Sequence, residues 1–263
     1  MGAMSSKGQE MSDHYFGVIK ERVADFMRDL NHELWRLGIS AKTQHNEVAP
    51  NQFELAPIYD SANVATDRNQ LTMEAMKKIA NRHGMVALMH EKPFAGVNGS
   101  GKHNNWSLAT DKGVNLLSPG TNPQENTQFL IFLSAIIEAV DIYAPLLRMS
   151  AANAGNDHRL GGHEAPPAII SIYLGKELTN ILEKISKGES IKNTKGETFT
   201  MGVNALPDLP KDATDRNRTS PFAFTMNKFE FRMVASSQSI SGPNVVLNTS
   251  VAESGCQKQK KEV

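Results

Sequence analysis

The sequence holds a single cysteine, Cys256, among 263 residues. That excludes an internal disulfide framework and fits a reducing, cytoplasmic setting. It also makes the chain a poor candidate for structural zinc or an iron–sulfur cluster. Net charge is missing too, because Lys+Arg and Asp+Glu both number 28. A chain without excess positive charge has no bulk attraction to nucleic acid or to an anionic membrane. Long apolar runs are absent: the longest, 129–140, is broken by Ser134 and Glu138 and is too short to span a bilayer. The opening MGAMSSKGQEMSD has no hydrophobic signal core, and no internal repeat is visible. What is present is an ordinary globular balance, 40% hydrophobic and 21% charged, enough for one large domain or two small ones.

Read in order, residues 1–12 form a polar leader and 253–263 a polar tail, with a domain expected over 13–252. Tyr15, Ile19, Val23, Phe26, Leu30, Leu34 and Leu37 recur at steps of three and four, which predicts a helix over 13–37 closed by Gly38. Two extended runs, 41–48 and 52–58, meet at Pro50-Asn51, where asparagine tolerates positive φ. A helix over 61–83 stops at Gly84. A short buried strand, 85–90, leads into the loop EKPFAGVNGSGKHNNWSL, and a strand follows over 104–110. Residues 111–122 are turn-rich, 125–150 read as one long buried helix, and 151–164 as a polar glycine-rich loop. A strand over 168–174, a helix over 175–188, a hairpin over 189–205 turning at Thr194-Lys195-Gly196, and a proline- and charge-rich loop over 206–220 come next. Strands over 222–225 and 228–234 and a helix from 239 to 252 complete the series. Strands and helices in mixed order, without regular βαβ alternation, predict an α+β fold.

Five stretches carry chemistry-bearing residues. Glu47 and Glu54 flank the Pro50-Asn51 turn within apolar runs, where a carboxylate needs a cation, either a divalent metal or a lysine or arginine. His103, Asn105 and Ser107 follow the glycine loop and share one face of an extended segment, placing an imidazole beside groups that bond ribose or phosphate. In KFEFR, Phe229 and Phe231 point to the core, while Glu230 and Arg232 share the other face. That pair suits a metal and its phosphate, or a plain salt bridge. Arg216 and Arg218 lie in the loop DATDRNRTSP, and an arginine pair there suits phosphate or simple solvation. Arg159 precedes Glu164 by five residues in a glycine-rich segment that reads as a lid or as a surface loop. Together these residue types favour an ATP-dependent enzyme using Mg²⁺ or Mn²⁺.

The stretches HNEVAPNQFE, KPFAGVNGSGKHNNWSL, NDHRLGGHEAPPAIIS and NKFEFR, in this order, resemble the catalytic domain of glutamine synthetases, with wording closest to the type III class. The resemblance runs from about residue 8 to 253. It implies a curved antiparallel sheet with flanking helices and the reaction of glutamate with ATP to γ-glutamyl phosphate, which ammonia converts to glutamine. By resemblance, Glu47 and Glu54 match ligands of a first metal, and His103 and Glu230 ligands of a second that holds the ATP phosphates. Asn98, Gly99 and Arg159 match glutamate-binding positions. Asn105 and Ser107 match nucleotide positions, and Glu164 matches the flap carboxylate that closes the site and takes a proton from ammonium. Arg218 and Arg232 match arginines that stabilise the transferring phosphoryl group, and Arg218 also touches ATP.

The resemblance also implies homo-oligomeric rings in which a neighbouring subunit completes each site. Three departures are expected to matter. No upstream E-x-E strand precedes Glu47, so each of the two metals lacks one ligand within this chain. The small N-terminal β-domain and the continuation past Ala252 are missing, so the chain reads as a weakly active or inactive portion. Met226 stands where the type III pattern favours glycine and is strained if its φ is positive; Ala235 also departs from that pattern. The alternatives are a non-catalytic binding or structural relative and a γ-glutamyl-polyamine synthetase.

Overall fold

A computed structural model describes residues 14–15, 17–162, 164–189, 198–199, 209–210 and 220–261. Its elements are helices α1 (Glu21–Arg36), α2 (Ala62–Arg82), α3 (Thr127–Ile142), α4 (Ala144–Ser150), α5 (Ala154–Arg159), α6 (Lys176–Ser186) and α7 (Ser241–Lys261). The strands are β1 (Ala41–Asn46), β2 (Phe53–Pro57), β3 (Gly101–Trp106), β4 (Ile172–Tyr173), β5 (Thr198–Phe199), β6 (Leu209–Pro210), β7 (Phe222–Thr225) and β8 (Lys228–Ala235). The chain divides into two compact units. One comprises Met1–Lys102, Ser150–Ala165 and Met233–Val245; the other comprises His103–Met149, Pro166–Arg232 and Val246–Val263.

In the first unit, α1 buries Val23, Met27, Leu30 and Leu34, the stripe that its heptad-like spacing requires. Leu30, Leu34 and Ile39 meet Ala75 and Ile79 of α2, with Phe26, Leu55 and Met76 packed around them. Each such leucine or isoleucine contributes roughly 1.5–3 kcal/mol of burial. The helix starts at Glu21 rather than near residue 13, so Tyr15 and Ile19 lie outside it. Gly38 and Gly84 close α1 and α2 at φ 72° and 63°. The expected buried strand over 85–90 is not one: the stretch has no strand assignment, and Val86 and Leu88 are exposed at 75% and 53%. The polar segment 151–164 is not a plain loop, since Ala154–Arg159 forms α5, capped by the Asn153 side chain accepting from Gly155 N–H at 2.7 Å.

In the second unit, a four-stranded sheet runs in the order β3-β8-β7-β4. β7 and β8 are antiparallel, with Phe222 opposite Phe231 and Phe224 opposite Phe229. Phe222 stacks on Phe229 at 4.6 Å, and Phe224 meets Phe229 edge-on at 5.2 Å, which makes this aromatic cluster the sheet's core contact. The expected antiparallel pairing holds for β7 and β8, and at the sheet's edge β4 pairs parallel with β7. The expected long helix over 125–150 breaks at Tyr143 into α3 and α4, bent by 77°. Pro145 explains the break, because it has no N–H to continue the ladder. The turn expected at Thr194-Lys195-Gly196 and the leader 1–12 lie outside the described residues. The polar tail is helical as far as Lys261, not an appendage to a helix ending at Ala252. Among the described residues no single helix is long and apolar enough to cross a membrane.

Candidate functional site

The hairpin β1–β2 assembles a cluster by register. His45 sits directly opposite Glu54, and the ladder continues with Glu47 N–H donating to Gln52 O at 2.8 Å. His45 and Glu47 are two residues apart and share a face, so His45, Glu47 and Glu54 converge. The turn between them needs Asn51 at φ 56°, as expected from its sequence. His45 Nε2 lies 3.0 Å from Glu47 Oε1 and 3.6 Å from Glu54 Oε2. Tyr15 packs edge-on against the imidazole at 5.3 Å between ring centres. One potential ligand atom from each of His45, Glu47 and Glu54 lies within 4.8 Å of the others.

Two carboxylates this close repel. Burial first, then the hydrogen bond that protonated Glu47 donates to Glu54 and the charges of Glu54 and Glu164, push the Glu47 carboxyl up to about 8, against a smaller lowering by the Val48 N–H. The influence of Glu164 places that exposed residue, held at φ 57°, in the electrostatic neighbourhood of the cluster. A divalent cation relieves this repulsion, and two carboxylates with one imidazole suit Mg²⁺ or Mn²⁺.

The same unit carries the glycine loop. Gln52 Nε2 donates to Gly99 O and Ser100 Oγ, both at 2.9 Å, fastening the hairpin to the loop. Asn98 and Arg159 are buried. Arg159 Nε donates to Asn156 Oδ1 at 3.0 Å, and Asn156 is itself fixed by donating to Ala151 O and Met233 O at 2.8 Å. The arginine stem passes over Gly99 and its guanidinium over Gly101, where a Cβ would overlap each. Burial pulls the Arg159 guanidinium down to about 10 and the Lys102 ammonium down to about 8, each opposed by the charge of Glu91. Burial raises the Glu91 carboxyl, yet the hydroxyl and N–H of Ser237 hold it below the ordinary carboxylate value.

In the second unit, β3 alternates as its sequence predicts. His103 and Asn105 are exposed, while Asn104 and Trp106 are buried on the other face, with Trp106 Nε1 donating to Asn248 Oδ1 at 2.8 Å. Ser107 Oγ lies 2.9 Å from Asn115 Oδ1 and 3.1 Å from Asn227 O. Phe229 and Phe231 are fully buried, and Glu230 Oε2 accepts from Arg232 Nε at 3.1 Å and Nη2 at 3.0 Å. The Glu230–Arg232 pair is therefore formed as an ion pair within one strand. His103 and Glu230 lie on neighbouring strands of the sheet. Arg216 and Arg218 lie outside the described residues.

Sequence reasoning missed His45 and Glu91. For His45 the signal was available: an i, i+2 relation to Glu47 and a two-strand register set by the turn. For Glu91 only the fold reveals the contacts.

The sequence model of the family described as glutamine synthetase, catalytic domain, matches residues 3–170. The chain belongs to that family. It is 58% identical over 254 residues to a type-3 glutamine synthetase of Dictyostelium discoideum, covering 97% of this chain and 35% of the relative. It is 63% identical over 230 residues to a glutamine synthetase of Butyrivibrio fibrisolvens, covering 88% of this chain and 33% of the relative. The chain thus spans about a third of the length of these curated glutamine synthetases. A solved Plasmodium falciparum glutamine synthetase superposes with a TM-score of 0.64 at 16% identity, over 96% of this chain and 41% of that one, which supports the shared fold. The glutamine synthetase match of residues 3–170 includes Glu47, Glu54, Asn98, Gly99, His103, Asn105, Ser107, Arg159 and Glu164.

Proposed function

We propose that the chain is part of a glutamine synthetase, a glutamate–ammonia ligase that uses ATP and a divalent cation, Mg²⁺ or Mn²⁺. The reaction makes γ-glutamyl phosphate and ADP from glutamate and ATP, and ammonia then displaces phosphate to give glutamine. The observation that carries this reading is the His45, Glu47 and Glu54 cluster in the unit that also holds Asn98, Gly99 and Arg159.

Glu47 and Glu54 are assigned to the first cation, and Asn98, Gly99 and Arg159 to glutamate. The buried Arg159 guanidinium supplies a fixed, planar donor for a substrate carboxylate. Glu164 is assigned as the closing carboxylate that accepts a proton from ammonium. Its backbone is left-handed, φ 57°, in the segment after α5. His103 and Glu230 are assigned to the second cation, Asn105 and Ser107 to ATP, and Arg218 and Arg232 to the phosphoryl group. When bound, divalent cations neutralise the charge that develops on the transferring phosphoryl group. Exclusion of water protects the acyl phosphate, which hydrolyses readily. The assignment includes a cytoplasmic setting and a homo-oligomer.

The test is titration of L-glutamate into the 263-residue chain with Mn²⁺, beside an assay for γ-glutamyl hydroxamate with Mn²⁺ and ADP. The expected results are Mn²⁺-dependent glutamate binding and Mn²⁺-dependent formation of any hydroxamate. Absence of glutamate binding, or binding and turnover that ignore Mn²⁺, contradicts the assignment.

A further inference from the structure

Glu91 is 1% exposed, and none of the roles above uses it. Its backbone belongs to the glycine loop: Glu91 O accepts from Ser100 N–H at 2.8 Å and packs against Gly99 so closely that a Cβ there would overlap it. Its carboxylate reaches elsewhere. Oε1 accepts from Ser237 N–H at 2.9 Å and from the Ser237 hydroxyl. Oε2 packs against Gly155, again leaving no room for a Cβ.

Gly155 and Arg159 stand four residues apart in α5, on one face of the same short helix. Arg159 returns from α5 across Gly99 to Gly101. Glu91 therefore packs against two elements that border Arg159: the loop at Gly99, through its carbonyl, and α5 at Gly155, through its carboxylate. Hydrogen bonds from Ser237 stabilise the carboxylate but bring no charge, and a buried anion needs a cation. Two cations of the same unit, Lys102 and Arg159, have their protonated forms favoured by the Glu91 charge; of these Arg159, 5% exposed, stands on the α5 face that Glu91 Oε2 meets at Gly155.

We propose that Glu91 is a positioning residue that fixes the direction of the Arg159 guanidinium, and thereby the end of the site that receives the substrate's carboxylate. The substrate part of this statement rests on the assignment of Arg159 to glutamate. Glu91→Gln keeps the side chain's size and an acceptor for Ser237, and removes the charge while exchanging one carboxylate oxygen for an NH₂.

The test uses the full chain labelled with ¹⁵N-arginine, the Arg159 Nε–H signal being identified by its loss in Arg159→Lys. In Glu91→Gln, hydrogen exchange at Arg159 Nε is expected to quicken by about tenfold or more, and Mn²⁺-dependent glutamate binding to weaken by about tenfold, the scale for losing a charged partner. Mn²⁺ affinity itself is expected to stay unchanged. Ser237→Ala removes a hydrogen bond but no charge and is expected to leave the exchange near its original rate. Should Glu91→Gln fail to fold by circular dichroism, Glu91→Asp, which withdraws the charge by one methylene, is read for the same quickening. Unchanged Arg159 exchange in the folded variant overturns the proposal and leaves Glu91 a packing residue. A faster exchange supports it even if the original chain binds no glutamate, a result that counts against the assignment of Arg159 alone.

Discussion

Binding of Mn²⁺ to the β1–β2 hairpin is expected to expel a proton. Glu47 is pushed up to about 8 by burial, by its hydrogen bond with Glu54, and by the charges of Glu54 and Glu164. A cation takes the carboxylate and not the acid, so at pH 7 nearly one proton, about 0.9, leaves from Glu47 for each ion bound, falling to about 0.1 at pH 9. The same linkage tightens the affinity about fivefold between pH 7 and 8, and by less than about twofold between pH 8 and 9. Isothermal titration at fixed pH in two buffers of different ionisation enthalpy measures the release directly. In Glu54→Gln, the neighbouring charge and its hydrogen-bonding partnership change, so the release at pH 7 is expected to shrink and the affinity to fall. The metal-free chain is expected to show the opposite trend in stability. The folded state holds the Glu47 proton above the ordinary carboxylate value of about 4.5, so the resulting stability is fully present below that pH and is lost as pH rises through about 8. Equal proton release at pH 7 and pH 9, or none at pH 7, refutes the account of two carboxylates crowded beside His45.

Three further outcomes follow from particular residues. Met226 is 68% exposed at φ 58°, so Met226→Gly is expected to raise stability by about 0.5–1 kcal/mol, read as a higher midpoint in urea. Gly101→Ala is expected to displace the guanidinium end of the Arg159 side chain and weaken glutamate binding, with less loss of stability than a clash with backbone brings. Gly99→Ala strikes the Glu91 carbonyl and is expected to lower the melting temperature as well; circular dichroism melts beside glutamate titrations separate the two. Phe229→Ala removes a fully buried ring in contact with Phe222 and Phe224, an expected loss of about 3–5 kcal/mol by chemical denaturation.

Local chemistry was legible in the sequence where one residue decides the outcome. Gly38, Gly84 and Asn51 sit at positive φ as their positions predicted, and Met226 is strained as its departure from glycine implied. The alternation of KFEFR put Phe229 and Phe231 in the core and Glu230 beside Arg232. Outcomes that depend on a partner elsewhere in the chain were not legible. Met85–His90 has the hydrophobicity of a buried strand, but burial requires a covering surface, and Val86 and Leu88 are exposed. The polar stretch after Ala252 lacks apolar periodicity, yet Glu, Gln and Lys are good helix formers and α7 runs through it. Glu47 and Glu54 stand out in the sequence as carboxylates within apolar runs, and His45 joins them through the i, i+2 spacing and the hairpin register, a signal the sequence held but that no motif marks. Glu91 opens a loop whose glycines attract notice, but its partners Ser237 and Gly155 come from distant parts of the chain.

The central claim is that the first unit holds glutamate beside a divalent cation. Equilibrium dialysis of radiolabelled L-glutamate against the chain, with and without saturating Mn²⁺, tests it most directly. The account predicts one glutamate bound per chain when Mn²⁺ is present, weakened when Arg159 is replaced by lysine and when Glu47 is replaced by glutamine. Glutamate binding that ignores Mn²⁺ and both substitutions, or no binding under any of these conditions, contradicts it.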